Sequence, residues 1–202
     1  MTPINLWKHE FAGHTDVANK EIGELFGDKV FDTPKPSLLI QRMIQLCTQP
    51  DEDDYILDFF AGSSTTAHAV LKQNMEDGGN RRFIMVQIPE PVPSSSPARK
   101  AGFQSIAEIG KERIRRISSE LQADRETHLE FDRDVPVDLG VRVFTLTESS
   151  FRQWRGVDTK HPDDYGDEMQ LFTDPLLPTW HIDTALWEII LKEGYSLMVG
   201  GE

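Results

Sequence analysis

The stretch from Tyr55 to Thr66 constrains the fold of this chain more than any other. Tyr55-Ile56-Leu57 is a short apolar run that suits a strand buried in a parallel sheet. It leads through Asp58 into Phe59-Phe60-Ala61-Gly62-Ser63-Ser64-Thr65-Thr66, a turn rich in small residues. Ala67 to Asn74 then has helical composition, Asp77-Gly78-Gly79-Asn80 is a turn, and Phe83 to Ile88 reads as a second buried strand. A strand, turn, helix, strand unit predicts an open α/β sheet, in which ligands sit at the carboxyl ends of the strands. Gly62 and its small neighbours let the backbone approach a ligand, and the helix that follows offers unpaired N–H groups at its positive dipole end. These residues leave the ligand open. Only Gly62 is present of a G-x-G-x-x-G pattern, no Gly-Lys-Ser/Thr follows, and a tight turn of small packing residues is the competing reading.

Around this unit the chain predicts further helices. Asp16 to Phe26 has helical spacing and is closed by Gly27. Asp32-Thr33-Pro34-Lys35-Pro36 cannot lie inside a helix, and Ser37 is placed to cap the next one, which ends before Pro50. The lone Cys47 is expected to be a buried position of that helix. Pro89 to Pro97 reads as an irregular loop outside the core, free to cross over a ligand. Ser105 to Leu121 is an amphipathic helix with Ile106, Ile109, Ile114, Ile117 and Leu121 on one face and Lys111, Arg113, Arg115 and Arg116 largely elsewhere. Asp138 to Thr147 alternates like a strand, Ser149 to Trp154 starts a helix or turn, and Asp158 to Pro178 is irregular. Asp183 is placed to cap a last helix running through Lys192 to Gly194.

Charge separates two regions. Residues up to Arg125 hold 15 basic and 18 acidic side chains, whereas those from Glu126 onward hold 6 and 16, so most of the net charge of -13 lies in the tail. This divides the 202 residues into a ligand-binding part, 1–125, and an acidic α+β appendage, 126–202. DNA affinity rests on neutralising phosphates, so a chain of this charge is a poor duplex binder by itself. No signal peptide or membrane span is visible, and a single cysteine fits a reducing cytoplasm. The six histidines show no metal-ligand spacing, and no metal is expected; His68 reads as a packed or solvent-facing residue.

Asp58 to Thr66 resembles the cofactor-binding motif of DNA amino-methyltransferases, and Thr33 to Pro36 resembles the motif preceding it in the class whose catalytic motif comes earlier in the chain. Thr65 to Val70, Glu76 to Ile84, Gln87 to Glu90, Lys111 to Arg116, Asp138 to Phe144, Ser149 to Trp154 and Lys192 to Tyr195 resemble the modification subunits of type III restriction-modification systems. The resemblance implies an adenine-N6 methyltransferase with a partial Rossmann-like sheet and S-adenosylmethionine as cofactor. In that reading Asp58 accepts from the cofactor's ammonium group or from a bridging water, Phe60, Ala61 and Gly62 line its methionine and ribose portions, and Phe59 belongs to the same site. Ser63 and Thr65 donate to its carboxylate, and Lys35, beside Thr33, pairs with that carboxylate. Gln87 and Glu90 together take the ribose hydroxyls. Ser64 stands where glycine is commoner, which restricts the backbone there.

Such enzymes hold the target amine with an Asp/Asn/Ser-Pro-Pro-aromatic tetrad, and no Pro-Pro pair occurs here. The resemblance therefore implies a truncated chain: the cofactor half of an enzyme that needs the missing catalytic and target-recognition half to act on a flipped base. A non-catalytic cofactor-binding or assembly module is the alternative, and a nucleotide-binding oxidoreductase fragment a weaker third. DNA is expected to be reached only through that other region, with a restriction subunit as a further partner. Removal of the strands that carry the tetrad would leave an open edge at Tyr55 to Asp58, so self-association or a partner is expected.

Overall fold

The computed structural model describes residues 6–127, 137–153, 165–166, 169–170 and 172–195. The chain forms two compact units, Met1–Arg142 and Val143–Glu202. The division falls beyond the composition change at Arg125, because Val137 and Leu139 pack on the core of the first unit and Ser118 Oγ donates to Leu139 O at 3.0 Å.

The first unit is built around β1 (Tyr55–Asp58) and β2 (Arg82–Met85), a parallel pair with Tyr55 opposite Arg82 and Asp58 opposite Met85. Parallel pairing demands a crossover, and α4 (Thr65–Asp77) supplies it. Ten of the thirteen α4 residues are buried, the mark of a helix enclosed on all sides. Ala67, Leu71 and Met75 of α4 meet Ile114, Ile117 and Leu121 of α6 (Ile106–Thr127), with Phe83 and Met85 of the sheet against them. Ala69 and Val70 meet Ile44 of α3 (Ser37–Cys47), with Ile56 beside them. Ile22 of α2 (Thr15–Phe26), Val30, Val92, Ala98 and Ile109 form a further cluster. The short helices α1 (His9–Ala12) and α5 (Pro97–Lys100) complete the unit.

The strands are not buried as the apolar runs suggest. Tyr55 is 60% exposed, Leu57 59% and Ile84 48%, because helices cover only the face that carries Ile56, Phe83 and Met85. The second strand also ends at Met85 rather than Ile88. Cys47 is exposed, since the buried line of α3 runs through Ser37, Gln41 and Ile44. Ser37 does not cap its own helix; its N–H and hydroxyl both donate to Glu21 of α2, at 3.1 and 2.8 Å. The loop after β2 does enter the core, through Val92 and through Ala98 of α5.

The second unit contains α7 (Ile182–Lys192), whose N-cap is His181 rather than Asp183. Ser149 and Ser150 donate to Glu188 of α7, and Phe151 forms an isolated antiparallel bridge with Leu176, so no helix begins at Ser149. The strand expected over Asp138 to Thr147 does not form; its apolar side chains from Val141 to Leu146 are exposed and find no partner strand among the described residues. Of the stretch expected to be irregular, 165–166 and 169–170 are helical and 172–178 forms turns with the bridge at Leu176, while 158–164, 167–168 and 171 lie outside the described residues. Among the described residues no helix is long and apolar enough to cross a membrane.

Candidate functional site

Asp58 ends β1 and organises the turn that follows. Its Oδ1 accepts the Phe60 N–H at 3.1 Å and its Oδ2 the Thr66 hydroxyl at 2.6 Å, tying the start of the turn to the first turn of α4. The Ala61 N–H donates to Val86 O at 3.1 Å, and the Gly62 N–H to Gln87 Oε1 at 2.7 Å. Gly62 has φ 52° and Ser64 φ 58°, so two of three successive residues are left-handed and one is not glycine. That conformation costs an L-residue roughly 1–2 kcal/mol. The turn therefore holds strain at Ser64, where the sequence shows serine in place of a freer residue.

The same geometry leaves the start of α4 open. Ser64 is its N-cap but makes no side-chain cap, and the first helical bond runs from His68 N–H to Ser64 O at 3.2 Å. The amides of Thr65, Thr66 and Ala67 thus have no intrahelical acceptor, an arrangement that favours an anion. Phe59 and Phe60 lie at the strand end, 62% and 84% exposed, with ring centroids 5.0 Å apart. Ala61 is buried and Gly62 half-buried.

The residue just ahead of the proline-flanked segment reaches this turn. The Phe31 ring lies 3.5 Å from where a Gly62 Cβ would stand, so the chain just before Thr33 touches the glycine. Pro34 and Pro36 are buried and anchor the segment, Pro36 against Gly13, while Thr33 and Lys35 between and beside them are exposed. No side chain among the described residues holds the Lys35 ammonium.

Other expected site residues face inward. Ser63 and Thr65 are buried, and their hydroxyl oxygens accept from Arg113 Nη1 at 3.1 and 2.8 Å. Gln87 commits its acceptor to Gly62 and donates through Nε2 to Ile88 O at 3.1 Å, so its side chain serves the turn. Glu90 is exposed, and its backbone carbonyl accepts from Ile106 N–H at 2.9 Å.

Sequence reasoning missed the support beneath the turn. Arg113, expected on the polar face of α6, has 0% exposure. It donates through Nε to His68 Nδ1 at 3.2 Å and through Nη2 to Glu21 Oε2 at 3.5 Å. Burial lowers its guanidinium to about 10, with Glu21 opposing, so it stays charged. Burial, then the charges of Arg113 and Lys72, lower His68 to about 3, which makes it a neutral acceptor. Spacing held the signal, since 109, 113 and 117 share a helix face. Gly110 held another: a Cβ there would lie 2.5 Å from Ser64 Oγ and 3.2 Å from Gly62 O, so only glycine lets α6 approach the turn. Glu21 and Phe31 gave no local signal, because their partners are distant in sequence. Among the described residues no three His, Cys, Asp or Glu side chains gather as a metal site.

Residues 2–116 match the N6/N4 methyltransferase family described as DNA methylase. The chain is 50% identical over 105 residues to the Mod subunit of the type III restriction-modification enzyme StyLTI of Salmonella typhimurium, covering 52% of this chain and 16% of that protein. It is 42% identical over 113 residues to the type II methyltransferase M.KpnI of Klebsiella pneumoniae, covering 56% and 26%. To the Mod subunit of the type III enzyme EcoPI of Escherichia phage P1 it is 40% identical over 116 residues, covering 57% and 17%. The matched stretch thus spans about a quarter or less of each relative's length. Because the family match spans more than half of its residues and includes the whole turn from Asp58 to Thr66, this chain belongs to the DNA methylase family.

Proposed function

We propose that this chain is the cofactor-binding half of a site-specific adenine-N6 DNA methyltransferase of the type III modification kind, and that S-adenosylmethionine binds at the turn from Asp58 to Thr66. The carrying observation is the uncapped α4 start, which offers amides to a carboxylate, in a turn whose Gly62 lies against Phe31, four residues before Lys35. Thr33 and Lys35 hold the cofactor's carboxylate end with the α4 amides, and the Ser63 and Thr65 hydroxyls, which accept from Arg113, keep their hydrogens to donate there. Asp58 retains acceptor capacity for the ammonium group beyond its two present bonds. Phe59, Phe60, Ala61 and Gly62 wall the remainder, Glu90 receives the ribose hydroxyls, and Gln87 acts by fixing Gly62. When bound, the cofactor supplies an electrophilic methyl group; the residues described bind and orient it.

Methyl transfer also needs a group to hold the target amine, and no Pro-Pro dipeptide is present to do so. The reading therefore places that tetrad, and the recognition of DNA, on another region or subunit, with a restriction subunit as further partner in the cytoplasm. It takes the sheet as part of a larger Rossmann-like one, with the acidic residues 126–202 as an appendage outside the cofactor site. Parallel sheets are normally covered on both faces, so the exposed row Tyr55, Leu57, Ile84, Val86 and Ile88 supports a covering partner and, without one, self-association.

The test is titration with S-adenosylmethionine, followed by DNA methylation assays with and without an added tetrad-bearing fragment. Binding plus restored methylation is expected. Binding without methylation in both arms would point to a non-catalytic module, and better binding of NAD would overturn the cofactor assignment. Light scattering that finds only monomers would remove the self-association.

A further inference from the structure

Arg113 is a charged side chain enclosed in the core of the first unit, on the α6 face that also carries Ile109 and Ile117. An apolar side chain there would avoid desolvating a guanidinium. What the arginine adds is a rigid planar fork of donors, able to hold several acceptors in fixed directions. Its Nη1 bonds Ser63 and Thr65 on either side of the strained Ser64, its Nε bonds His68 one turn into α4, and its Nη2 bonds Glu21. Glu21 in turn accepts both donors of Ser37, the residue immediately after Thr33 to Pro36. Gly110, on the same face of α6, lies against Ser64 and Gly62.

We propose that Arg113 is a positioning residue of the cofactor site, joining the turn at Gly62–Thr65 to the segment bearing Lys35 so that both are set before the ligand arrives. The proposal rests on the S-adenosylmethionine reading above. Arginine has no acceptor, so the hydroxyl oxygens of Ser63 and Thr65 accept from it and each hydroxyl hydrogen is left free to donate elsewhere. His68, being neutral, accepts through Nδ1 and carries its hydrogen on Nε2. A lysine at 113 would keep the charge opposite Glu21 but lose the fork.

The experiment compares the full chain with Arg113→Lys and with Leu121→Ala, a change in the α6 core away from the turn. Circular dichroism establishes that each variant is folded. Calorimetric titration with S-adenosylmethionine, and amide exchange at Gly62, Ser64 and Ser37 in the ligand-free protein, are then measured. Expected for Arg113→Lys is about tenfold or more weaker binding, by analogy with the loss seen when groups that orient metal ligands are removed. Faster exchange at all three amides is expected with it, while Leu121→Ala keeps near wild-type affinity and exchange. If Arg113→Lys binds as tightly as wild type, or if Leu121→Ala weakens binding equally for equal loss of stability, the positioning role is overturned while the cofactor reading stands. If the wild-type chain binds no S-adenosylmethionine, with or without the added fragment, both fall together.

Discussion

Gly110→Ala is the sharpest probe of how α6 supports the turn. In an exposed helix this change stabilises by up to about 1 kcal/mol, because glycine is a poor helix former. Here the new Cβ would stand 2.5 Å from Ser64 Oγ and 3.2 Å from Gly62 O, the second a backbone atom held by the Gly62–Gln87 bond. Ser64 is buried, so its hydroxyl has little room to swing aside. Overpacking of this kind costs roughly 1–3 kcal/mol, and a net destabilisation of about 1–2 kcal/mol remains after the helix gain. Ser64→Gly removes the closer contact and also relieves the left-handed strain, by roughly 1 kcal/mol against the added freedom of the unfolded chain. The double variant should therefore recover about half the loss or more, with an interaction energy near 1 kcal/mol. The assay is urea unfolding of wild type, both single variants and the double variant, followed by far-ultraviolet circular dichroism with the slopes compared. A Gly110→Ala protein more stable than wild type, or strictly additive single changes, would refute the close approach of helix and turn.

Three further outcomes follow from the same contacts. His68 is held near 3 in the fold against its ordinary 6.5, so below pH 6.5 the unfolded chain binds a proton that the folded one refuses; stability is full above that pH and falls as the pH drops toward 3. By pH 5 the loss should be about 2 kcal/mol, and it should vanish in His68→Asn, which keeps an acceptor for Arg113; equal pH slopes in the two proteins would contradict this. Gln87→Ala leaves the Gly62 N–H unpaired and should cost about 1–3 kcal/mol together with S-adenosylmethionine affinity, whereas unchanged melting would mean that solvent replaces the bond. Leu71→Ala, in the core between α4 and α6, should cost about 2–5 kcal/mol, and a loss below 1 kcal/mol in denaturant titration would mean that this core is loosely packed.

Local chemistry alone determined the strand, turn, helix, strand order, the bend at Gly62 and the helix break at the prolines around Lys35. Apolar runs, small residues and prolines act over a few neighbours, so their consequences can be read in order along the chain. Local pattern misled where the outcome depended on what covers a surface. Tyr55-Ile56-Leu57 looks buried, yet only one face of the strand is covered, and residues 138–147 alternate like a strand without finding one to pair with among the described residues. Only tertiary structure decided that Arg113 points inward, that Glu21 bonds Ser37 across two helices, and that Gln87 is committed to Gly62. Each is a hydrogen bond between residues remote in sequence, and the direction of a long polar side chain is set by whichever acceptor the fold brings within reach.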